Sequence, residues 1–277
     1  MPILYDCHIH TEHSPDSRQP LDEICETAIE RGLRGIAITD HAELWHLEEH
    51  RTFQEIAASV AEAKAADAQY GGRLRVLSGV EIAEAQDDSE NTAKILRLAK
   101  YDVVLASCHS IAFDRWSASD FFADIPFDRE TVPEETLREF LDAYFQKVLR
   151  MARLDDYDVL THLTNPLRYI NGKYHRNQDW HPWRDLIDEI LRTVIRRNKA
   201  LEVNTSGIHG YYGDWMPDRE ILSRYHDMGG TLLTLASDAH TANRVGNAFA
   251  ETEELLKNIG FSQYCYYERR QPHPCAW

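Results

Sequence analysis

Six times along this 277-residue chain an apolar, strand-like run gives way to a residue able to bind a metal ion. Ile3-Leu4-Tyr5 leads into Asp6-Cys7-His8-Ile9-His10-Thr11, and Arg34 to Thr39 leads into Asp40-His41. Leu74 to Val80 ends at Glu81, Val103 to Cys108 at His109, Tyr157 to Thr161 at His162, and Thr231 to Ala236 at Ser237-Asp238-Ala239-His240. Alternate side chains of an extended chain share a face, so His8 and His10 can converge on one ion. Potential ligands after six separate strands favour a single (β/α) barrel over an open sheet, because a barrel brings all its strand ends to one rim.

The segments between the runs carry helical periodicity or charge-rich, Ala-rich composition. They predict helices over Leu21 to Arg31, Leu47 to Gln69, Asp88 to Lys100, Glu134 to Leu154, Trp183 to Asn198, Asp218 to Met228 and Phe249 to Asn258. Ala200 to Asn204 reads as a further strand and Tyr264 to Tyr267 as a last one, before Arg269-Arg270 and Pro272. Two stretches lack a period. Ile111 to Pro133, with Phe113, Trp116, Phe121, Phe122 and Phe127, reads as a long aromatic loop over the site, and Asn165 to Trp180 as a second polar and aromatic insertion. With no linker, repeat or low-complexity segment, the chain is expected to form one domain over residues 1–277.

Thirty Lys plus Arg against 46 Asp plus Glu give a formal charge of -16. Such a chain repels a phosphate backbone, which argues against nucleic acid as a partner, and bound cations would neutralise part of this charge. The five cysteines form no CxxC pair and no run reaches membrane-spanning length, so a reduced, cytoplasmic setting away from membranes is expected. Cys7 and Cys108 lie beside proposed ligands but point away from them on a strand, as packing groups.

Imidazoles and carboxylates together suit zinc, manganese or iron. His8, His10, Glu81 and Asp238 could surround one ion. Glu81 could bridge to a second held by His109 and His162, and Asp16, His41 and His240 could hold a third. Two or three divalent ions are therefore expected, with His13, Asp40, Glu84 and His46 in supporting or structural roles.

The motifs His8-Ile9-His10, Thr39-Asp40-His41, Gly79-Val80-Glu81, Cys108-His109, Thr161-His162 and Ser237-Asp238-Ala239-His240 together resemble the polymerase-and-histidinol-phosphatase superfamily, in particular its histidinol-phosphatase-like branch. The resemblance implies a distorted (β/α)7 TIM-like barrel and a metal-dependent phosphoesterase centre. It implies metal ligation by His8, His10, Asp16, His41, Glu81, His109, His162, Asp238 and His240. Asp16 stands where many superfamily members have histidine. The implied reaction is phosphomonoester hydrolysis by metal-activated water, with L-histidinol phosphate as the small phosphorylated substrate and histidine biosynthesis as the context. Glu81, Asp238, His240 and His41 are the candidate catalytic residues, the last two as proton carriers when free of metal.

Arg115, Arg168, Lys173, His175, Arg176 and Arg244 lie in candidate loops where a cation can meet phosphate, with Arg168 and Arg244 nearest to ligand motifs. Ser206 and Asn204 are candidates to orient substrate or a ligand. Trp116, Tyr169, Trp180, Tyr211 and Trp215 could shape an organic pocket, although packing under loops is their simpler role. Other readings stay open at this level: a phosphoesterase for another small phosphate or oligonucleotide, an amidohydrolase-like hydrolase, and a non-catalytic metal-binding regulatory protein.

Overall fold

The computed structural model describes residues 4–44, 47, 49–112 and 121–277. Strand β1 (Tyr5–Ile9) is followed by α1 (Leu21–Glu30), β2 (Gly35–Ile38), β3 (His41–Glu43) and α2 (Glu49–Tyr70). Next come β4 (Arg75–Ala83), α3 (Ser89–Leu98), β5 (Val103–Ser107), α4 (Glu134–Ala152), β6 (Val159–Leu160) and the short α5 (Asn165–Leu167). The chain continues through α6 (Arg184–Arg196), β7 (Ala200–Asn204), α7 (Arg219–Asp227), β8 (Leu233–Ala236), α8 (Phe249–Ile259), β9 (Gln263–Glu268) and β10 (Gln271–Ala276).

Seven parallel strands run in the order β1-β2-β4-β5-β6-β7-β8, with β3 pairing alongside β4. The last strand returns to the first: His10 N–H donates to Ala239 O at 2.9 Å and Asp238 N–H to His8 O at 2.9 Å. The result is the nearly closed, distorted seven-stranded barrel that the sequence resemblance implied. Its two sides are covered, so the strands are buried on both faces and read as continuous apolar runs.

Local chemistry explains where the elements depart from expectation. Asp88 and Asp218, expected inside helices, instead cap them, accepting from Asn91 N–H at 3.0 Å and Ile221 N–H at 2.9 Å. The second strand breaks at Asp40, whose buried carboxylate accepts from Thr11 N–H, Thr11 Oγ1, Ser14 Oγ and Ser59 Oγ at 2.6–2.8 Å. Beyond the break β3 resumes the same register, setting His41 opposite Glu81. Glu81 thus stands within β4 rather than at its end. Two residues earlier, any side chain at Gly79 would meet Thr39 Cγ2 and Val103 Cγ1 at 2.7 Å, so the strand comes close to both neighbours there.

The second insertion is more ordered than expected: α5 runs into a π-helical turn over Arg168–Lys173. The carboxy-terminal segment forms an antiparallel hairpin, β9 with β10, although Pro272 and Pro274 argue against a strand. An edge strand tolerates them because it has no second neighbour requiring their N–H groups. This hairpin closes the amino end of the barrel. Cys265 and Tyr267 pack there against Ala37, Leu77, Val103, Leu105, Val159 and Ala200, and Leu4 N–H donates to Tyr264 OH at 2.9 Å. Among the described residues no helix is long and apolar enough to cross a membrane, and the five cysteines are free thiols, with Cys7 and Cys108 buried as expected of packing groups.

Candidate metal centre

At the opposite rim nine candidate ligand side chains meet in one cluster, eight from the strands and the segments that follow them and Asp16 from the turn after β1. His8, His10 and Glu81 are fully buried, and His41, His109, His162 and Asp238 nearly so. Asp16 and His240 are the open side, 48% and 29% exposed. Asp238 adopts a left-handed backbone conformation (φ 51°), a cost that its hydrogen bond to β1 and its inward-turned carboxylate offset.

The donor atoms fall into three overlapping groups, joined by Glu81 and by His41, whose Nδ1 lies 2.8 Å from Glu81 Oε2. His8 Nε2 and His10 Nε2 lie 2.9 Å apart, and each is 3.3–3.8 Å from Glu81 Oε2 and Asp238 Oδ1. His109 Nε2 and His162 Nε2 lie 3.3 Å from each other and 3.3 and 2.9 Å from Glu81 Oε1. Asp16 faces His41 Nε2 at 3.6 Å and His240 Nε2 at 3.1 Å. Four ligands placed tetrahedrally at 2.0–2.1 Å from zinc would be about 3.3–3.4 Å apart, so the first group has the span of a coordination shell.

The electrostatics agree with that fit. His8 Nδ1 is 2.6 Å from Glu202 Oε1 and donates to it, which leaves Nε2, 2.9 Å from His10 Nε2, as the ring atom that faces the cluster. Burial opposes protonation of His8, His41 and His109, but the carboxylates of Glu81, Glu202, Asp16 and Glu43 outweigh it and hold their pKa values well above the usual histidine range. His10 is pushed the other way, to about 3, by burial and the neighbouring His240 and His41. Burial would raise the pKa of Glu81, but His8, His109 and His41 hold it well below the usual carboxylate range. At His8, His41 and His109 a proton thus competes with a metal cation for the ring, and an ion entering there must release it. Glu81 Oε2 and His240 Nε2 lack an aligned hydrogen-bond partner despite close neighbours. Such unsatisfied buried donor atoms fit cation binding and are costly without it.

Two buried carboxylates that sequence reasoning passed over support the ligands. Glu43 Oε1 lies 2.8 Å from His109 Nδ1 and 3.1 Å from His41 Nδ1. Glu202 accepts from His8 and, through Oε2, from His162 N–H at 2.7 Å. Glu202 sits in the middle of β7, whereas Glu43 is the last residue of β3. A charged residue in the middle of a strand covered on both faces needs a buried partner, and this was the signal available. Glu84 accepts from His109 N–H and Ser110 N–H at 2.8 and 3.0 Å. Burial pushes its pKa up to about 7 against the pull of Lys147. His13 is held between Glu55 and Glu62, and His46 lies outside the described residues.

Arg168 lines the small cavity, about 50 Å³, that opens onto the donor atoms. Its guanidinium donates to Ser206 Oγ at 3.1 Å and Tyr169 OH at 2.6 Å, 3.8 Å from Asp238 Oδ2. Ser206 in turn bonds Asn204 Oδ1 at 2.7 Å, and Asn204 Nδ2 donates to Asp238 at 3.2 Å. Arg244, exposed, joins Ser206 and Tyr211 in an adjoining cavity of about 290 Å³. Phe121 and His41 separate the donor cavity from another of about 400 Å³, lined also by Glu12, Glu43 and Glu55.

Other expected contacts are not brought here. Arg176 is buried in the protein body, donating to Phe127 O, Val132 O and Glu134 at 2.7–2.9 Å, so its guanidinium serves packing rather than the cavity. His175 is exposed on a left-handed turn (φ 49°) and lines none of these cavities. Lys173 donates to Ala123 O at 2.9 Å. Trp180 and Trp215 bond Asp218 and Thr252 at 2.6 and 2.8 Å, as packing groups. Arg115, Phe113 and Trp116 lie outside the described residues. Phe127 of the same insertion is core, while Phe121 and the buried Phe122 both line the donor cavity.

The PHP domain family model matches residues 6–206. The chain is 26% identical to a probable histidinol-phosphatase of Thermotoga maritima, over 93% of each chain. It is 27% identical to the histidinol-phosphatase of Lactococcus lactis, over 93% of this chain and 92% of that one. Its fold is similar to the crystal structure of the Lactococcus lactis histidinol phosphate phosphatase complexed with zinc, L-histidinol and phosphate, with a TM-score of 0.75 and 24% identity over 98% of both chains.

Proposed function

This chain belongs to the PHP domain family, and on that premise we propose that it is a histidinol-phosphatase, converting L-histidinol phosphate and water to L-histidinol and phosphate. The observation that carries the reading is the sharing of Glu81 between two donor groups, with a third alongside, at the floor of a cavity walled by the Arg168 guanidinium. The relatives named for this activity match over nearly their whole length. In this reading residues 1–277 form one catalytic domain acting in histidine biosynthesis in the cytoplasm.

His8, His10, Glu81 and Asp238 would hold one divalent ion, Glu81, His109 and His162 a second, and Asp16, His41 and His240 a third, with zinc favoured by the relative bound to it. Such ions supply Lewis-acid charge to the phosphoryl oxygens and make water nucleophilic at neutral pH. The chain's own groups set the geometry. Arg168, fixed at both ends by Ser206 and Tyr169, offers its positive charge to the phosphoryl group. The buried floor excludes bulk water, so substrate and solvent arrive past Asp16 and His240. His240 Nδ1 is bonded to Asp238 O at 3.0 Å, which leaves Nε2 as the atom that faces Asp16 and the cavity. The water oxygen adds to phosphorus as the ester oxygen leaves and takes up a proton.

The test is phosphate release from L-histidinol phosphate and a panel of other phosphomonoesters by zinc-, manganese- or iron-loaded protein. Selective, chelator-sensitive release from L-histidinol phosphate is expected. Hydrolysis confined to other phosphates would remove the substrate and keep the chemistry, whereas bound metal without any hydrolysis would overturn the phosphatase reading.

A further inference from the structure

Glu202 reaches from the middle of β7 to ligands of two different ion positions. Its Oε1 accepts from His8 Nδ1 at 2.6 Å, and its Oε2 accepts from His162 N–H at 2.7 Å and from Asn204 Nδ2 at 3.1 Å. His8 Nε2 belongs to the group with His10 and Asp238, and His162 Nε2 to the group with His109. Asn204 Nδ2 also donates to Asp238 Oδ2 at 3.2 Å, which extends the reach of Glu202 to a further donor of the first group. The side chain is 1% exposed, so no water competes for these bonds.

We propose that Glu202 is a positioning residue that couples these two ion positions, fixing the tautomer of His8 and the backbone of His162 with one rigid carboxylate. The inference rests on the metal-binding reading above. A carboxylate behind a ligating imidazole fixes its ring and raises its basicity, and losing one typically weakens metal binding about 10–100-fold. Here the arrangement makes that loss double. Two oxygens serve three donors, and a glutamine in the same place keeps one acceptor and turns a donor toward N–H groups that already donate. The third position, at Asp16, His41 and His240, makes no contact with Glu202 among the hydrogen bonds and ion pairs of the described residues and should be indifferent.

The experiment is equilibrium dialysis of the full chain against buffered free zinc, with bound ions counted by elemental analysis, for the wild type and Glu202→Gln. Two ions weakened together by about 10–100-fold, with the third unchanged, is expected. One ion weakened alone, or all three equally, would overturn the coupling. A wild type that binds no zinc would overturn the metal reading itself, and the inference with it. The metal-free melting temperature is recorded for both proteins. If Glu202→Gln does not fold, ¹⁵N spectra of the histidine rings in zinc-loaded wild type decide. A proton on Nδ1 of His8, shielded from exchange, supports the proposal, and a proton on Nε2 overturns it.

Discussion

The two rims of this barrel are both buried and are closed by opposite means. At the amino end Tyr267 and Cys265 of the hairpin fill the space with apolar atoms, against Leu77, Leu105 and Val159. At the carboxyl end the space holds His8, His10, Glu81, His109 and His162, with Glu43 and Glu202 behind them. An apolar plug stabilises by its own burial, whereas buried charges stabilise only when something neutralises them. The difference predicts a division of labour: the hairpin rim carries stability, and the polar rim is conformationally set by the barrel and filled by ions.

Glu81→Ala should give the largest effect, lowering kcat/KM about 10³-fold or more, since it removes a donor shared by two groups. In metal-free protein its melting temperature should change little. Activity and melting, measured on the same preparation, would contradict the division if the metal-free variant melted far below wild type. Tyr267→Ala should do the reverse. It should cost about 3 kcal/mol of folding stability in urea unfolding, while kcat/KM of the folded fraction stays at the wild-type value.

Arg168→Met tests the boundary between the rims and the substrate. Losing charge-assisted hydrogen bonds worth about 1.5–3 kcal/mol should lower kcat/KM about 10–100-fold, with bound zinc per chain unchanged. Loss of zinc along with activity would mean that the guanidinium supports Asp238, 3.8 Å away, rather than the phosphoryl group.

The polar rim was more legible in the sequence than the plug that closes the other end. Six candidate ligands stand at or just after apolar runs, so short-range pattern and barrel topology together bring His8, His41, Glu81, His109, His162 and Asp238 to one place. Glu202 escaped because alternation along Leu201-Glu202-Val203 reads as an ordinary inward and outward pattern, and Glu43 because it follows His41 outside the apolar run of the second strand. Their meaning appears only when the outward face is known to be covered. The hairpin was hidden by Pro272 and Pro274, and by partners far away in sequence: Arg269 N–H donates to Asp102 Oδ1 at 3.0 Å. Arg176 misled for the opposite reason. Its loop position suggested a phosphate contact, but three acceptors in the protein body hold it.

Arg270→Met should have the smallest effect and the clearest pH dependence. Arg270 Nε pairs with Asp158 Oδ2 at the amino rim, and the Asp158 carboxylate also accepts from Val104 N–H at 2.8 Å. Burial raises the pKa of Asp158 above its usual value, and Arg270 pulls it back. Without the guanidinium that pKa rises further, so the variant loses stability as pH climbs through it. Below the unfolded carboxylate value, about 3.9, Asp158 is protonated in both proteins and the difference should vanish. Because Arg270 is 32% exposed, the gap near pH 7 should be only about 1 kcal/mol. Urea unfolding of both proteins between pH 3 and 7 checks this. A gap that persisted undiminished at pH 3 would show that Arg270 holds the hairpin through the packing of its stem, and that charge contributes nothing at the apolar rim.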